Sequence, residues 1–278
     1  MTITTRDQLI SAMANNSSRI LIDKASLSGT ANSFTSLWRA TGQPGQGAIP
    51  GAAAVCDHTL TGAISFTQQT APATSYLTIL EGANTIAAVT MEVHDRLMHM
   101  GGLSGTVTTA QTVNVDVDAN LATANLSARK GASDYSDVMW WLEWYTATGA
   151  SAVTVTVNVT YNDGTSGNLT AISLAATRPA SHAIPLNGFI PAADSGKFIR
   201  DVNTVTLSAT TGTAGSFGVT ATRYRCSLMM PGATTRYRED WAGLGIPEIP
   251  NSSCLMLMAL CPSTSSGNIR ATGKISHG

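Results

Sequence analysis

Val153-Thr154-Val155-Thr156-Val157-Asn158-Val159-Thr160-Tyr161 alternates apolar and polar side chains without a break, then runs into Asn162-Asp163-Gly164. In an extended chain successive side chains point to opposite faces, so the valines and Tyr161 share an apolar face while the threonines and Asn158 share a wet one. Asn-Asp-Gly is turn chemistry. The stretch is a half-buried strand leading into a tight turn, and its rhythm recurs on both sides.

Upstream, Val138 to Tyr145 (VMWWLEWY) is a dense aromatic strand in which Trp141 and Glu143 oppose Trp140, Leu142 and Trp144. In Thr112 to Asp118, Val113, Val115 and Val117 share one face, and Asn114, Asp116 and Asp118 the other. Ile64 to Phe66, Tyr76 to Leu80 and Ala87 to Leu97 are further short runs separated by turn residues. Downstream, Val202 to Ser208 and Gly218 to Tyr224 read as a hairpin joined by Thr210 to Ser216. Cys254 to Cys261 (CLMLMALC) is an unbroken apolar run, expected as a central strand buried on both faces within the body or against a neighbouring subunit. No strand is regularly followed by a helix, which argues against a parallel sheet. The expected fold is mainly β: an antiparallel β-sandwich, jelly-roll-like in wiring, with a short N-terminal helix and an extended arm.

The helix is read over Thr5 to Asn15, with Thr5 as cap and Leu9, Ile10 and Met13 as an apolar stripe. Arg19 to Asp23 is a short apolar run, and Phe34 to Arg39 carries apolar anchors. Thr41 to Gly51 (TGQPGQGAIPG) is too rich in Gly and Pro for helix or central strand. These signals divide the chain into a helix and arm (1–50), a sandwich body (51–230) and a C-terminal extension (231–278) that contributes one buried strand.

Only 12% of residues are charged and 43% are hydrophobic, with a formal net charge of −1. Copies with so few charges repel one another little, which favours self-association. Nucleic acid or an anionic membrane would need concentrated positive charge, so neither is expected as a partner. Cys56, Cys226, Cys254 and Cys261 lie at wide spacings with no CxxC pair and read as buried free thiols. The N-terminus lacks a basic segment leading into an apolar one, and no window approaches the roughly 18 apolar residues of a membrane span. The chain is expected to begin near Met1, in a reducing cytosol.

Local catalytic signatures are absent: there is no GxSxG, GxxxxGK[ST] or HExxH. His94 and His99 are five apart and fall on opposite faces of an extended segment, which disfavours a shared metal. His58 neighbours Cys56, but adjacency in sequence does not orient an imidazole on a thiol. The Asn114, Asp116, Asp118 row offers oxygen ligands to calcium but lacks the glycine and terminal glutamate of a calcium loop, so a solvated face is expected. The two RYR triplets, Arg223 to Arg225 and Arg236 to Arg238, read as ion-pairing or interface arginines. The Trp140 to Tyr145 aromatics admit core packing, a protein interface, or glycan stacking. No cofactor or metal is expected. A hydrolase assembled from distant residues stays open as a third functional class.

Ser36 to Pro50 (SLWRATGQPGQGAIP) and Phe198 to Val219 (FIRDVNTVTLSATTGTAGSFGV), together with the helix and Thr/Val-rich body, resemble tailed-bacteriophage virion proteins of the capsid-decorating kind. That resemblance implies a non-enzymatic structural protein, assembled in the bacterial host cytoplasm and located on the virion. It would bind and stabilise the capsid lattice as a decoration or cement protein. The implied partners are the major capsid protein or other virion proteins, and further copies of the chain in a trimer or other small oligomer. The alternative is a tail or head-tail protein that binds a receptor or glycan through exposed aromatics. Candidate interface residues are Leu9, Ile10, Met13, Phe34, Leu37, Trp38, Trp141, Arg236 and Arg238.

Overall fold

A computed structural model describes residues 2–278. Helix α1 (Arg6–Asn15) is followed by strands β1 (Ser17–Lys24), β2 (Ser33–Ser36), β3 (Gly42–Gln43), β4 (Ala54–Val55), β5 (Ser75–Asn84), β6 (Val89–Leu103) and β7 (Gln111–Asp116). Helix α2 (Val117–Thr123) then leads to β8 (Val138–Trp144), β9 (Val153–Tyr161), β10 (Ser166–Asn168), β11 (Ile172–Leu174) and β12 (His182–Pro185). The chain ends with β13 (Ile199–Leu207), β14 (Phe217–Met230), β15 (Tyr237–Asp240), β16 (Leu255–Cys261) and β17 (Ile269–His277). No helix among the described residues is long and apolar enough to cross a membrane.

The fold is mainly β and antiparallel, as the alternation predicts, but its centre is a closed barrel. Strands run in the order β14-β8-β12-β2-β16-β6, and β6 pairs with β14 to complete a six-stranded ring. Every pairing in that ring is antiparallel. A second sheet, β10-β9-β13-β7, and a third, β15-β5-β17-β1-β3, complete the architecture. The valines of β9 pack with Trp140, Leu142 and Trp144 of β8 in one core. Ile20 and Ile22 of β1 pack with Leu255 and Leu257 of β16 in another. The long strands β6 and β14 link the two: Val89, Met91 and Val93 lie in the β1 core, Leu97, Met98 and Leu103 in the β9 core. Register shifts at Ala221/Thr222 and Tyr224/Cys226 reset the facing along the β6–β14 pair.

The helix begins where the sequence places it, capped by a reciprocal Thr5–Gln8 box, with Leu9 and Ala12 buried. The arm does not exist as a separate element. β1 lies between β17 and β3, and β2 lies in the barrel wall between β12 and β16. The Gly/Pro stretch is no hinge either. It wraps Trp38, whose amide-side carbonyl accepts from Gly47 at 2.9 Å and whose indole donates to Ala48 O at 2.9 Å. A Cβ on Gly47 or Gly62 would collide with that indole, so glycine is what lets the backbone close over the ring. Lys24 Nζ anchors the wrap by donating to Ala40 O and Pro44 O.

The division at residues 50 and 230 dissolves for the same reason. β16 is a barrel stave and β17 the middle strand of its sheet, so the final segment belongs to the body. Residues 202–208 and 218–224 do not form a hairpin: β13 pairs with β7 and β9, whereas β14 pairs with β6 and β8. Ile64 and Phe66 are buried, with Ser65 exposed between them, but the stretch lies outside any strand. Val117 leaves the alternation, because Asp116 accepts from the Ala119 amide and caps α2.

Candidate functional site

Strand β8 has a barrel lumen on one side and the β9 core on the other, which is why alternate residues meet different chemistry. Trp140, Leu142 and Trp144 join the apolar core, while Trp141 and Tyr145 join a cluster with Trp38, Cys56, Cys254, Met256 and Met258. Between those two lumen aromatics stands Glu143, 2% exposed. Charge buried in this way needs partners, and the other staves supply them.

Arg96 Nη2 of β6 reaches Glu143 Oε2 at 2.8 Å, Thr220 Oγ1 of β14 donates to the same oxygen at 2.6 Å, and the Tyr145 hydroxyl donates to it at 3.1 Å. Ser36 of β2 donates to Oε1. Arg96 also donates through Nε to His99 Nδ1 at 3.0 Å and through Nη1 to Met256 Sδ at 3.3 Å, with its guanidinium 4.5 Å from the Trp38 ring centre. Burial by itself would raise the Glu143 carboxyl, but the Arg96 charge and the hydrogen bonds outweigh it and hold the acid below its ordinary range. Burial and the Glu143 charge together push Tyr145 upward, so its hydroxyl stays a proton donor.

The preceding residue faces the other way. Asp95 takes a bidentate contact from Arg129, Nε at 3.0 Å and Nη2 at 2.5 Å, plus Arg225 Nη2 at 3.1 Å, Ser253 Oγ at 2.9 Å and the Cys254 amide at 2.9 Å. Burial would raise its carboxyl too, and Arg129 reverses that effect. Arg129 spends its remaining donors on Cys56 O at 2.6 Å and Arg96 O at 3.0 Å. Each carboxylate is therefore saturated by its own scaffold, and each ties together segments distant in sequence. Removing one partner from such a pair costs on the order of 3–5 kcal/mol, because the other charge is left buried and alone.

The residues singled out from sequence scatter. Leu9, Leu37, Trp38 and Trp141 are buried within the chain. Trp141 donates to Thr222 Oγ1 at 2.8 Å and meets Phe34 edge-on at 5.0 Å between ring centres. It has no face for a sugar or a partner, and Trp140, Trp144 and Tyr145 are likewise at 4% exposure or less. Ile10 is 51% exposed, Met13 half-buried, and Arg236 and Arg238 exposed. Arg236 pairs with Glu81, and Arg238 sits opposite Glu81 in the β15–β5 ladder. His94 bonds Thr222 and Glu92, while His99 bonds Arg96. The first RYR triplet splits: Arg223 pairs with Asp137, and Arg225 with Asp95. Asp116 and Asp118 also separate, the first capping α2 and the second pairing with Lys130. Among the described residues no group of three or more His, Cys, Asp or Glu side chains could hold a metal.

Sequence reasoning missed Asp95, Arg96, Arg129 and Arg225 as a connected set. A signal was present in VMWWLEWY, where one carboxylate interrupts a strand apolar on both faces.

Compared with known proteins, the sequence matches no family model and no curated protein. Among solved structures it overlaps VP2 of infectious bursal disease virus in T=1 particles at 12% identity, covering 94% of this chain and 76% of that one with a TM-score of 0.19. A VP2 subviral particle of the same virus gives 11% identity, 94% and 79% coverage, and again 0.19. The virus's Gt strain gives 10% identity, 94% and 80% coverage, and 0.17.

Proposed function

We propose that the chain is a non-enzymatic structural protein of a virus particle, binding a shell lattice and further copies of itself through protein–protein contacts. The observation that carries this reading is where the charge goes. Seven charged side chains, Lys24, Asp95, Arg96, Arg129, Glu143, Asp201 and Arg225, are buried, in a chain that is only 12% charged. Five of these seven stitch the barrel together, so the groups a catalyst would aim at a substrate serve cohesion instead. The remaining surface is thinly charged and rich in Thr, Ser and Gly, which suits close packing of copies.

The resemblance of Ser36 to Pro50 and Phe198 to Val219 to tailed-phage virion proteins narrows this to a capsid-binding, decoration-type role. Contact would fall to Ile10 and the half-buried Met13 on α1, Leu21 on β1 at 56% exposure, and the exposed Arg236 and Arg238 at β15. The test is particle incorporation of Ile10→Asp and Arg238→Glu, scored by mass measurement and electron microscopy. At least a tenfold loss in one variant, with the body still folded, is expected. A stable monomer from wild type, with no incorporation to lose, would overturn the proposal, and density at the tail would move it off the capsid.

A further inference from the structure

Strands β4 and β16 lie end to end along one side of β6. Ala54 and Val55 face His99 and Met98, while Leu255 faces Asp95. In the gap between them, the Cys56 amide donates to Leu97 O at 2.9 Å and the Arg96 amide donates to Cys254 O at 2.8 Å. Cys56 and Cys254 thus occupy adjoining positions of one interrupted strand, although far apart in the chain. The Asp95–Arg129 ion pair clamps both: Arg129 Nη1 donates to Cys56 O at 2.6 Å, and Asp95 Oδ1 accepts from the Cys254 amide at 2.9 Å.

Both side chains belong to the lumen cluster, and both residues are fully buried. The two side chains pack in that one cluster, and His99, opposite Ala54 in the β4–β6 ladder, lies on the same sheet face as the Cys56 sulfur. His99 Nδ1 accepts from Arg96, which leaves Nε2 as the protonated nitrogen able to donate to that sulfur. Burial would raise the Cys56 thiol, but the neighbouring Cys254, His99 and Arg96 outweigh it and lower it, whereas burial and the Cys56 sulfur raise Cys254 well above its ordinary value. Cys226 and Cys261 are also raised, to about 12 and about 11, with burial as the main cause. One nucleophilic sulfur therefore faces one protonated sulfur across a clamped gap.

We propose that Cys56 and Cys254 are a disulfide-forming pair, oxidised by a small peroxide, whose bond welds β4 to β16 across the interrupted strand. In the first step the Cys56 thiolate attacks one peroxide oxygen, the O–O bond breaks, and hydroxide leaves as Cys56 becomes a sulfenic acid. Next, Cys254 sulfur attacks the Cys56 sulfur, the S–O bond breaks, and the departing oxygen leaves as water with the Cys254 proton. One thiolate, one thiol and hydrogen peroxide give one disulfide, one water and one hydroxide. The sulfurs lose two electrons and the peroxide gains them.

The full-length folded chain is treated with hydrogen peroxide, unfolded, and alkylated to count remaining thiols by mass. Two of the four thiols should be lost, and recovered with dithiothreitol. Tryptic peptides 40–96 and 239–270 should migrate as one species before reduction. The crosslink should vanish in Cys254→Ser and persist in Cys261→Ser, which separates the two cysteines that share the second peptide. Oxidation should raise Tm by about 5–10 °C in wild type and Cys261→Ser, as expected for a bond closing a very long loop. Four alkylatable thiols after peroxide, a crosslink surviving in Cys254→Ser, or Cys56 oxidised to sulfinic acid with Cys254 untouched would each overturn the assignment.

Discussion

On one side of β8, Trp140, Leu142 and Trp144 meet the valines of β9 in an apolar core. On the other side, one side chain away, Glu143 sits between Trp141 and Tyr145 and is held by Arg96, Thr220 and Ser36. The first interior forms from a repeating pattern in which any valine does much the same job as its neighbour. In the second, every polar atom depends on a named partner from another strand. An apolar face tolerates approximate packing, whereas a buried ion network is stabilising only when complete. The comparison teaches that closing this barrel is a matter of partner identity, while covering it with sheets is a matter of pattern.

The largest effect should come from breaking the lumen. Glu143→Ala leaves Arg96 buried without its carboxylate, with an expected loss of about 3–5 kcal/mol in chemical denaturation. Adding Arg96→Met to Glu143→Leu should restore much of that loss, because the pair leaves together. If Glu143→Ala costs no more than a surface substitution, the contrast between the two interiors fails. Val157→Ala, in the apolar core, should cost roughly 1.5–3 kcal/mol, and a neighbouring Val159→Ala about the same.

Acid titration sharpens the comparison by sign. Burial, reinforced by Asp116 opposite it, raises Asp201 to about 6, so the folded chain keeps a proton that the unfolded chain has already released. Its contribution to stability is present below the ordinary carboxylate value and is lost as pH rises from about 4 to about 6. Burial and Arg178 lower His182 to about 4, so the unfolded chain takes up a proton first and stability is lost as pH falls from about 6.5 to about 4. Asp201→Asn and His182→Gln should therefore tilt the pH profile of unfolding in opposite directions across that window. Slopes changing in the same direction would refute the pairing. Smallest of all, Arg236→Ala should change stability by less than about 0.5 kcal/mol, since the Arg236 side chain that reaches Glu81 is itself mostly exposed.

Strand positions were legible wherever one face meets water, because Val153 to Tyr161 can satisfy its alternation in one way only. The eight-residue run at Cys254 was legible as a doubly buried strand for the complementary reason, the lack of any polar face. Trp38 and the Gly/Pro stretch misled, because turn residues that let a backbone wrap an indole carry the same signature as a hinge. The proposed 202–224 hairpin misled too: proximity in sequence favours pairing, yet β13 and β14 belong to different sheets. Trp141 looked available because alternation gives it the opposite face from Trp140, and only barrel closure makes that face an interior.

By itself the sequence determined that this protein is antiparallel β, where β5 to β9, β13, β14 and β16 run, and that its helix is capped by Thr5. Those are local consequences of backbone pleat, side-chain period and capping. Tertiary structure alone decided that six strands close on themselves, that residues 17–43 are woven into the body, and that Asp95, Arg96, Arg129, Glu143, Cys56 and Cys254 share one neighbourhood. Pairing between strands depends on contacts between residues far apart in the chain, and no local period records them.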